Sequence, residues 1–106
     1  MATTLVIGAS ENPDRYSYKV AVILIHQGHD TVLFGTKEGK VLGNQFVTEF
    51  PSIIENLDTI TLYINPKVQK EYYTKIVALR PKRIIFNPGT ENAEFEKICE
   101  KIKNFT

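Results

Sequence analysis

The chain has 106 residues, 42% of them hydrophobic and 24% charged, with a formal net charge of +1 and one cysteine. That is ordinary globular composition with enough apolar residues for a core of its own, so residues 1–106 are read as one domain. The near-zero charge gives no general pull toward nucleic acid or an anionic membrane, so any anion site has to be local. The lone Cys99 allows no internal disulfide, the apolar runs are too short for a bilayer, and Met1-Ala2-Thr3-Thr4 does not read as a secretory leader. The expected compartment is the cytoplasm.

Taken in order, Thr4–Ile7 reads as a buried strand that ends at Gly8. The segment Gly8-Ala9-Ser10-Glu11-Asn12-Pro13-Asp14-Arg15 is small and polar and leads into an apolar stretch of helical length, Tyr16–Gln27, which Gly28 stops. Thr31–Phe34 is a second buried strand, ended by Gly35. Residues 35–45 are loop-like, and Gln45-Phe46-Val47 reads as a short edge strand. Ser52-Ile53-Ile54-Glu55 has the Ser-x-x-Glu spacing of a capping box and predicts a short helix. Thr59–Ile64 is a third buried strand. Asn65 then reads as an N-cap with Pro66 at the first helical position, and Val68, Tyr72, Ile76 and Leu79 make one helical stripe. Arg83–Phe86 is a further strand and Asn87–Glu91 a turn. Phe95, Ile98, Cys99, Ile102 and Phe105 mark the buried face of a last helix.

The strands are short and continuously apolar rather than alternating, which suits a parallel sheet covered on both faces. With right-handed crossovers the expected fold is α/β, a Rossmann-like, doubly wound parallel sheet with helices on both faces. In a strand order 3-2-1-4-5 the winding reverses beside the first strand, and ligands bind outside the carboxyl ends of the strands at that point. The loops 8–17, 65–67 and 87–92 leave those ends, with 35–40 alongside. They are predicted to converge.

Each loop carries its own chemistry. A strand that turns into a helix leaves N–H groups without partners at the positive end of the helix, where they attract phosphate. Gly8-Ala9-Ser10 is not the dinucleotide fingerprint, because Ser10 and Pro13 stand where glycines are needed. The Ser10 hydroxyl adds a donor, and Arg15 and Ser17 can close over a pyrophosphate; the plain alternative is a simple connection with Ser17 as helix cap. After the second strand, where an NAD-binding domain carries Asp or Glu, this chain has Thr36 and Lys37. A lysine there fits the 2′-phosphate of NADP or the 3′-phosphate of coenzyme A, and otherwise is a solvated surface residue. Capping alone accounts for Asn65 and Pro66, and a ligand contact is the alternative. Backbone at Gly89, in the loop Asn87–Asn92, can approach a pantetheine arm or a pyrophosphate. Glu91 reads as a carboxylate near a helix N-terminus rather than a general base. His26 and His29 lie at the far end of the first helix, without metal-ligand spacing, so no metal site and no catalytic residue is assigned. Cys99 reads as a small core hydrophobe.

Val6-Ile7-Gly8-Ala9-Ser10 with Asn12-Pro13, Arg15 and Ser17, Lys37 followed by Leu42-Gly43, Thr61-Leu62-Tyr63-Ile64-Asn65-Pro66, and Asn87-Pro88-Gly89-Thr90-Glu91-Asn92 together carry a resemblance. The chain resembles the small bacterial coenzyme A-binding domain proteins, stand-alone relatives of the coenzyme A-binding domain in the alpha subunit of succinyl-CoA synthetase. The resemblance covers essentially the whole chain. It implies that Gly8–Ser17 (Gly8, Ala9, Ser10, Asn12, Pro13, Arg15 and Ser17) holds the pyrophosphate, that Lys37 meets the 3′-phosphate, and that Pro88, Gly89 and Thr90 flank the pantetheine. The chain departs from the family pattern at Gly35-Thr36 and at Asn87-Pro88. The phosphorylatable histidine of the synthetase lies in a second domain, and neither His26 nor His29 matches it, so complete ligase activity is not expected. The expectation is a non-catalytic module for coenzyme A or an acyl-CoA, with no nucleic acid and no membrane as partners. The alternatives are an NADP-dependent oxidoreductase, or a ligand-free interaction subunit of a ligase-like complex that docks on a protein partner. A homodimer is left open.

Overall fold

A computed structural model describes residues 2–102, with side chains through Cys99. In chain order the elements are β1 (Thr3–Ile7), α1 (Tyr16–His26), β2 (Asp30–Phe34), β3 (Lys40–Val41), β4 (Asn44–Gln45) and β5 (Leu57–Leu62). There follow α2 (Pro66–Gln69), a single 3₁₀ turn (Lys70–Tyr72), α3 (Tyr73–Ala78), β6 (Arg83–Phe86) and α4 (Ala93–Ile102). Four strands form a parallel sheet in the order β2-β1-β5-β6. This is the Rossmann-like α/β arrangement expected from the apolar runs.

The sheet is covered on both faces because neighbouring residues of one strand point to opposite sides. Leu5, Val6 and Ile7 are all 0% exposed. Leu5 and Ile7 join Ile60, Leu62, Ile76, Phe95 and Cys99 in one cluster. Val6 joins Leu33, Ala21 and Val41 in the other, under α1. The end of α1 is a Schellman motif: Gly28 has φ +77°, its amide donates to the Ile25 carbonyl and that of His29 to the Leu24 carbonyl. Although α1 is apolar almost throughout, only Ser17 and Ala21 are buried in it.

Three expectations need correction. The edge strand 45–47 shrinks to one parallel bridge, Phe34 to Val47, while Lys40–Val41 and Asn44–Gln45 pair with each other as a hairpin. The expected winding survives, since Val47 lies outside β2 where a third strand was placed. Residues 52–55 form no helix. Thr3 takes this segment instead: its amide donates to the Asn56 carbonyl and its hydroxyl to the Glu55 carbonyl. Asn56 then turns with φ +58° directly into β5. Finally, the helix expected to run unbroken from Pro66 to Leu79 is interrupted by the 3₁₀ turn. Its inward residues are Gln69, Tyr72, Tyr73, Ile76 and Leu79, so the expected stripe holds at Tyr72, Ile76 and Leu79, with the polar Gln69 buried at its start. Phe105 and the side chain of Ile102, both expected on the buried face of α4, lie outside the described residues.

Cys99 is 7% exposed in the core beneath α4. Burial, with the nearby Glu96 carboxylate adding to it, pushes its thiol from 9.0 up to about 11. The native state therefore keeps a proton that the unfolded chain releases first. Stability contributed by this group is fully present below pH 9 and is lost as pH rises from about 9 to about 11. Denaturation midpoints measured across that window are expected to fall more steeply for the native chain than for Cys99→Ser, and aromatic disulfide reagents at pH 8 are expected to modify Cys99 only at the rate of opening.

Candidate ligand-binding cleft

β1 leaves the sheet at Gly8, whose φ of +99° is open to glycine and strained for other residues. A Cβ there would lie 3.1 Å from both the carbonyl carbon and oxygen of Tyr63 and 3.2 Å from Cγ2 of Ile64. The chain thus turns directly against the end of β5. The amides of Gly8 and Ala9 both donate to the Phe34 carbonyl, at 3.0 and 2.9 Å. These two N–H groups, expected to be free, are used to extend the β1–β2 ladder. The loop beyond is built from its own short side chains: Ser10 Oγ accepts from the Asn12 amide, Asn12 Oδ1 from the Asp14 amide, and the Asn12 carbonyl from the Arg15 amide.

The start of α1 is where donors remain. Arg15 is the N-cap residue, in extended conformation, and no side chain caps the helix. The amides of Ser10, Tyr16 and Ser17 have no acceptor among the described residues. Ser17 is therefore not the cap considered from sequence; it lies in the first turn, 4% exposed, against the cleft. Ser10 Oγ accepts a bond and keeps its own proton free to donate.

A cleft of about 690 Å³ opens over these groups. One wall is Gly8, Ala9 and Ser10 with Asp14–Ser17, the floor is Tyr63–Asn65, and the opposite wall is Pro88–Thr90. Its size is that of small-molecule sites, and its place is the carboxyl end of the sheet. Three of the converging loops predicted from sequence therefore meet. Of the expected site residues, Gly8, Ala9, Ser10, Arg15, Ser17, Asn65, Pro88, Gly89 and Thr90 line the cleft. Asn12, Pro13, Lys37 and Pro66 do not. Asn12 shapes the loop by its bonds, and Pro66 begins α2, with Asn65 Oδ1 accepting from the Val68 amide as its cap. Lys37 is exposed on the loop after Gly35. That loop abuts the first one, since a Cβ at Gly35 would lie 3.3 Å from the Ala9 carbonyl oxygen.

Four contributors escaped the sequence reading. Glu11 Oε2 accepts from the Lys40 amide at 3.0 Å and so ties the first loop to the second. Asp14 and Tyr63 line the cleft. Gln69, 0% exposed, joins the floor to the far wall. Glu91 accepts from the Gly89 amide at 2.8 Å, which gives it a turn-forming role.

The chain belongs to the family described as CoA binding domain, whose model matches residues 2–105. The solved structure of an uncharacterized protein is 48% identical, superposes with a TM-score of 0.89, and is covered over 83% of its length by 95% of this chain. A hypothetical protein from Pyrococcus horikoshii OT3 is 26% identical, with a TM-score of 0.81 over 92% of this chain and 69% of that one. A Thermus thermophilus protein at 24% identity shares the fold, with a TM-score of 0.84 over 94% of this chain and 76% of its own. No curated protein matches the chain at a significant level. No described helix is long and apolar enough to cross a membrane.

Gly8→Ala is the direct check on the cleft's construction. The new methyl meets backbone at 3.1 Å and holds a strained φ, so the variant is expected to lose about 1–3 kcal/mol in denaturant unfolding.

Proposed function

We propose that this protein is a binding module for coenzyme A or an acyl-CoA, held across the carboxyl ends of the sheet without chemistry of its own. The observation that carries this reading is the uncapped start of α1 beside the Gly8–Ser10 turn, both opening on one cleft in a member of the coenzyme A-binding family. The amides of Ser10, Tyr16 and Ser17, the Ser10 hydroxyl and the Arg15 guanidinium supply directed donors for a pyrophosphate. Ala9 and Gly8 let its oxygens come close to backbone, and Asn12 and Pro13 keep the loop in shape. The pantetheine arm lies between Asn65 and Pro88-Gly89-Thr90. The titratable residues lining the cleft are Asp14, Arg15, Tyr16 and Tyr63, and no hydrogen bond or ion pair among the described residues couples any two of them.

In this reading Lys37 meets the 3′-phosphate from the rim of the cleft. As an exposed side chain in high dielectric it contributes little, as surface ion pairs do. Lys37→Ala is expected to weaken coenzyme A by no more than about fivefold and to leave 3′-dephospho-coenzyme A unchanged. Titration calorimetry with both ligands reads this directly, and equal losses for the two would remove Lys37 from the site. The wider reading is tested by mass spectrometry of small molecules retained on natively purified protein and by competition. Coenzyme A is expected to bind and NADP not to displace it. Failure of coenzyme A to bind, or its displacement by NADP, overturns the proposal.

A further inference from the structure

The buried amide of Gln69 joins parts of the cleft that are far apart in sequence. Its Nε2 donates to the Ile64 carbonyl on the floor and to the Thr90 carbonyl on the far wall, each at 2.8 Å. Its Oε1 accepts from Asn92 Nδ2 at 2.9 Å. Asn92 is fixed in turn: its Nδ2 also donates to the Tyr73 hydroxyl at 2.6 Å, and its Oδ1 accepts from the Phe95 amide at the start of α4. Two carbonyls can be bridged only by a group with two N–H donors, so the orientation of this amide is dictated by its neighbours. Gln69 is 0% and Asn92 6% exposed, and no buried side-chain polar atom among the described residues lacks a partner. A position that only filled the core would be filled at lower desolvation cost by leucine. What the amide adds is a fixed distance between the Ile64-Asn65 floor and the Pro88–Thr90 wall.

We propose that Gln69 is a positioning residue that latches the Pro88–Thr90 wall and sets the width of the cleft at its pantetheine end. This rests on the coenzyme A reading for the identity of the ligand, but the latch itself is a property of the free protein. In the free chain, Gln69→Leu is expected to speed amide hydrogen exchange across residues 87–92 by about tenfold or more while β1 and α1 keep their protection. In binding, it is expected to weaken coenzyme A by about tenfold and adenosine 3′,5′-bisphosphate, which has no pantetheine arm, by less than about twofold. Ile76→Val, a core change away from the cleft, supplies the comparison for general destabilisation and is expected to move both ligands equally or neither. Should Gln69→Leu not fold, Tyr73→Phe removes the hydroxyl behind Asn92 and is expected to give the same pattern at about two- to threefold.

Unchanged exchange at residues 87–92, or equal losses for the two ligands in the latch variant, overturns the latch. If the unaltered protein binds no coenzyme A, the functional reading fails while the exchange measurement still decides whether Gln69 holds the wall.

Discussion

The backbone of Gly8 runs against the backbone of Tyr63 with no room for a side chain between them. Everything at the carboxyl end of the sheet follows from that approach. The β1–β5 ladder continues past the strand, with the Tyr63 amide donating to the Ile7 carbonyl at 2.8 Å. On the other side the Phe34 carbonyl takes the amides of Gly8 and Ala9 together. Held from both neighbours, the chain can leave the sheet in only one direction, and the loop 10–15 then places the bare start of α1 over the gap between β1 and β5. The place of the uncapped helix start is therefore a consequence of sheet geometry, aimed by two hydrogen bonds on one carbonyl.

The electrostatics of the cleft are local. A net charge of +1 supplies little long-range attraction, and Asp14 sits beside Arg15 in the lining. In the proposed coenzyme A reading, affinity for a pyrophosphate comes from donors already oriented before the ligand arrives, whose reorganisation cost is met in folding. Such donors act at contact distance and are little screened by salt, unlike an exposed ammonium on the rim. On the proposed reading, that difference separates the roles of Ser10, Tyr16 and Ser17 from that of Lys37.

Much of this was legible in the sequence, because parallel strands buried on both faces write themselves as continuous apolar runs. Leu5-Val6-Ile7 ending in Gly8, and Gly28 closing α1, are local signals that tertiary context did not override. The capping-box spacing at Ser52 misled because a helix there would have to compete with the bonds Thr3 offers to the Glu55 and Asn56 carbonyls, and a short segment feeding β5 has too few residues to do both. Gln69 was hidden for the opposite reason. The apolar stripe was counted from Val68, whereas the buried position one residue on is polar and satisfied by carbonyls from distant loops. A pattern search for apolar residues passes over a buried amide, and only its partners reveal it. Among the expected site residues that do not line the cleft, Asn12 shapes the loop by its hydrogen bonds, Pro66 starts α2 and Lys37 is exposed.

Gly35 and Asn87, where the chain departs from the pattern of the family it resembles, each have a structural role here. Gly35 is buried, and a Cβ there would come within 3.0 Å of the Phe46 ring and 3.3 Å of the Ala9 carbonyl oxygen. Glycine is what lets the second loop close against the first, where Glu11 then fastens it to Lys40. Asn87 donates from Nδ2 to Thr61 Oγ1 and the Leu62 carbonyl, at 2.7 and 2.8 Å, and its own carbonyl accepts from the Thr90 amide and hydroxyl. It binds the last loop down onto β5 while Gln69 holds the same loop from the other side. Gly35 and Asn87 thus anchor loops that build the cleft. A hydrogen-bonded anchor of this kind adds only about 1 kcal/mol to stability per bond, but it fixes geometry, and for a ligand gripped by backbone groups geometry is what determines affinity.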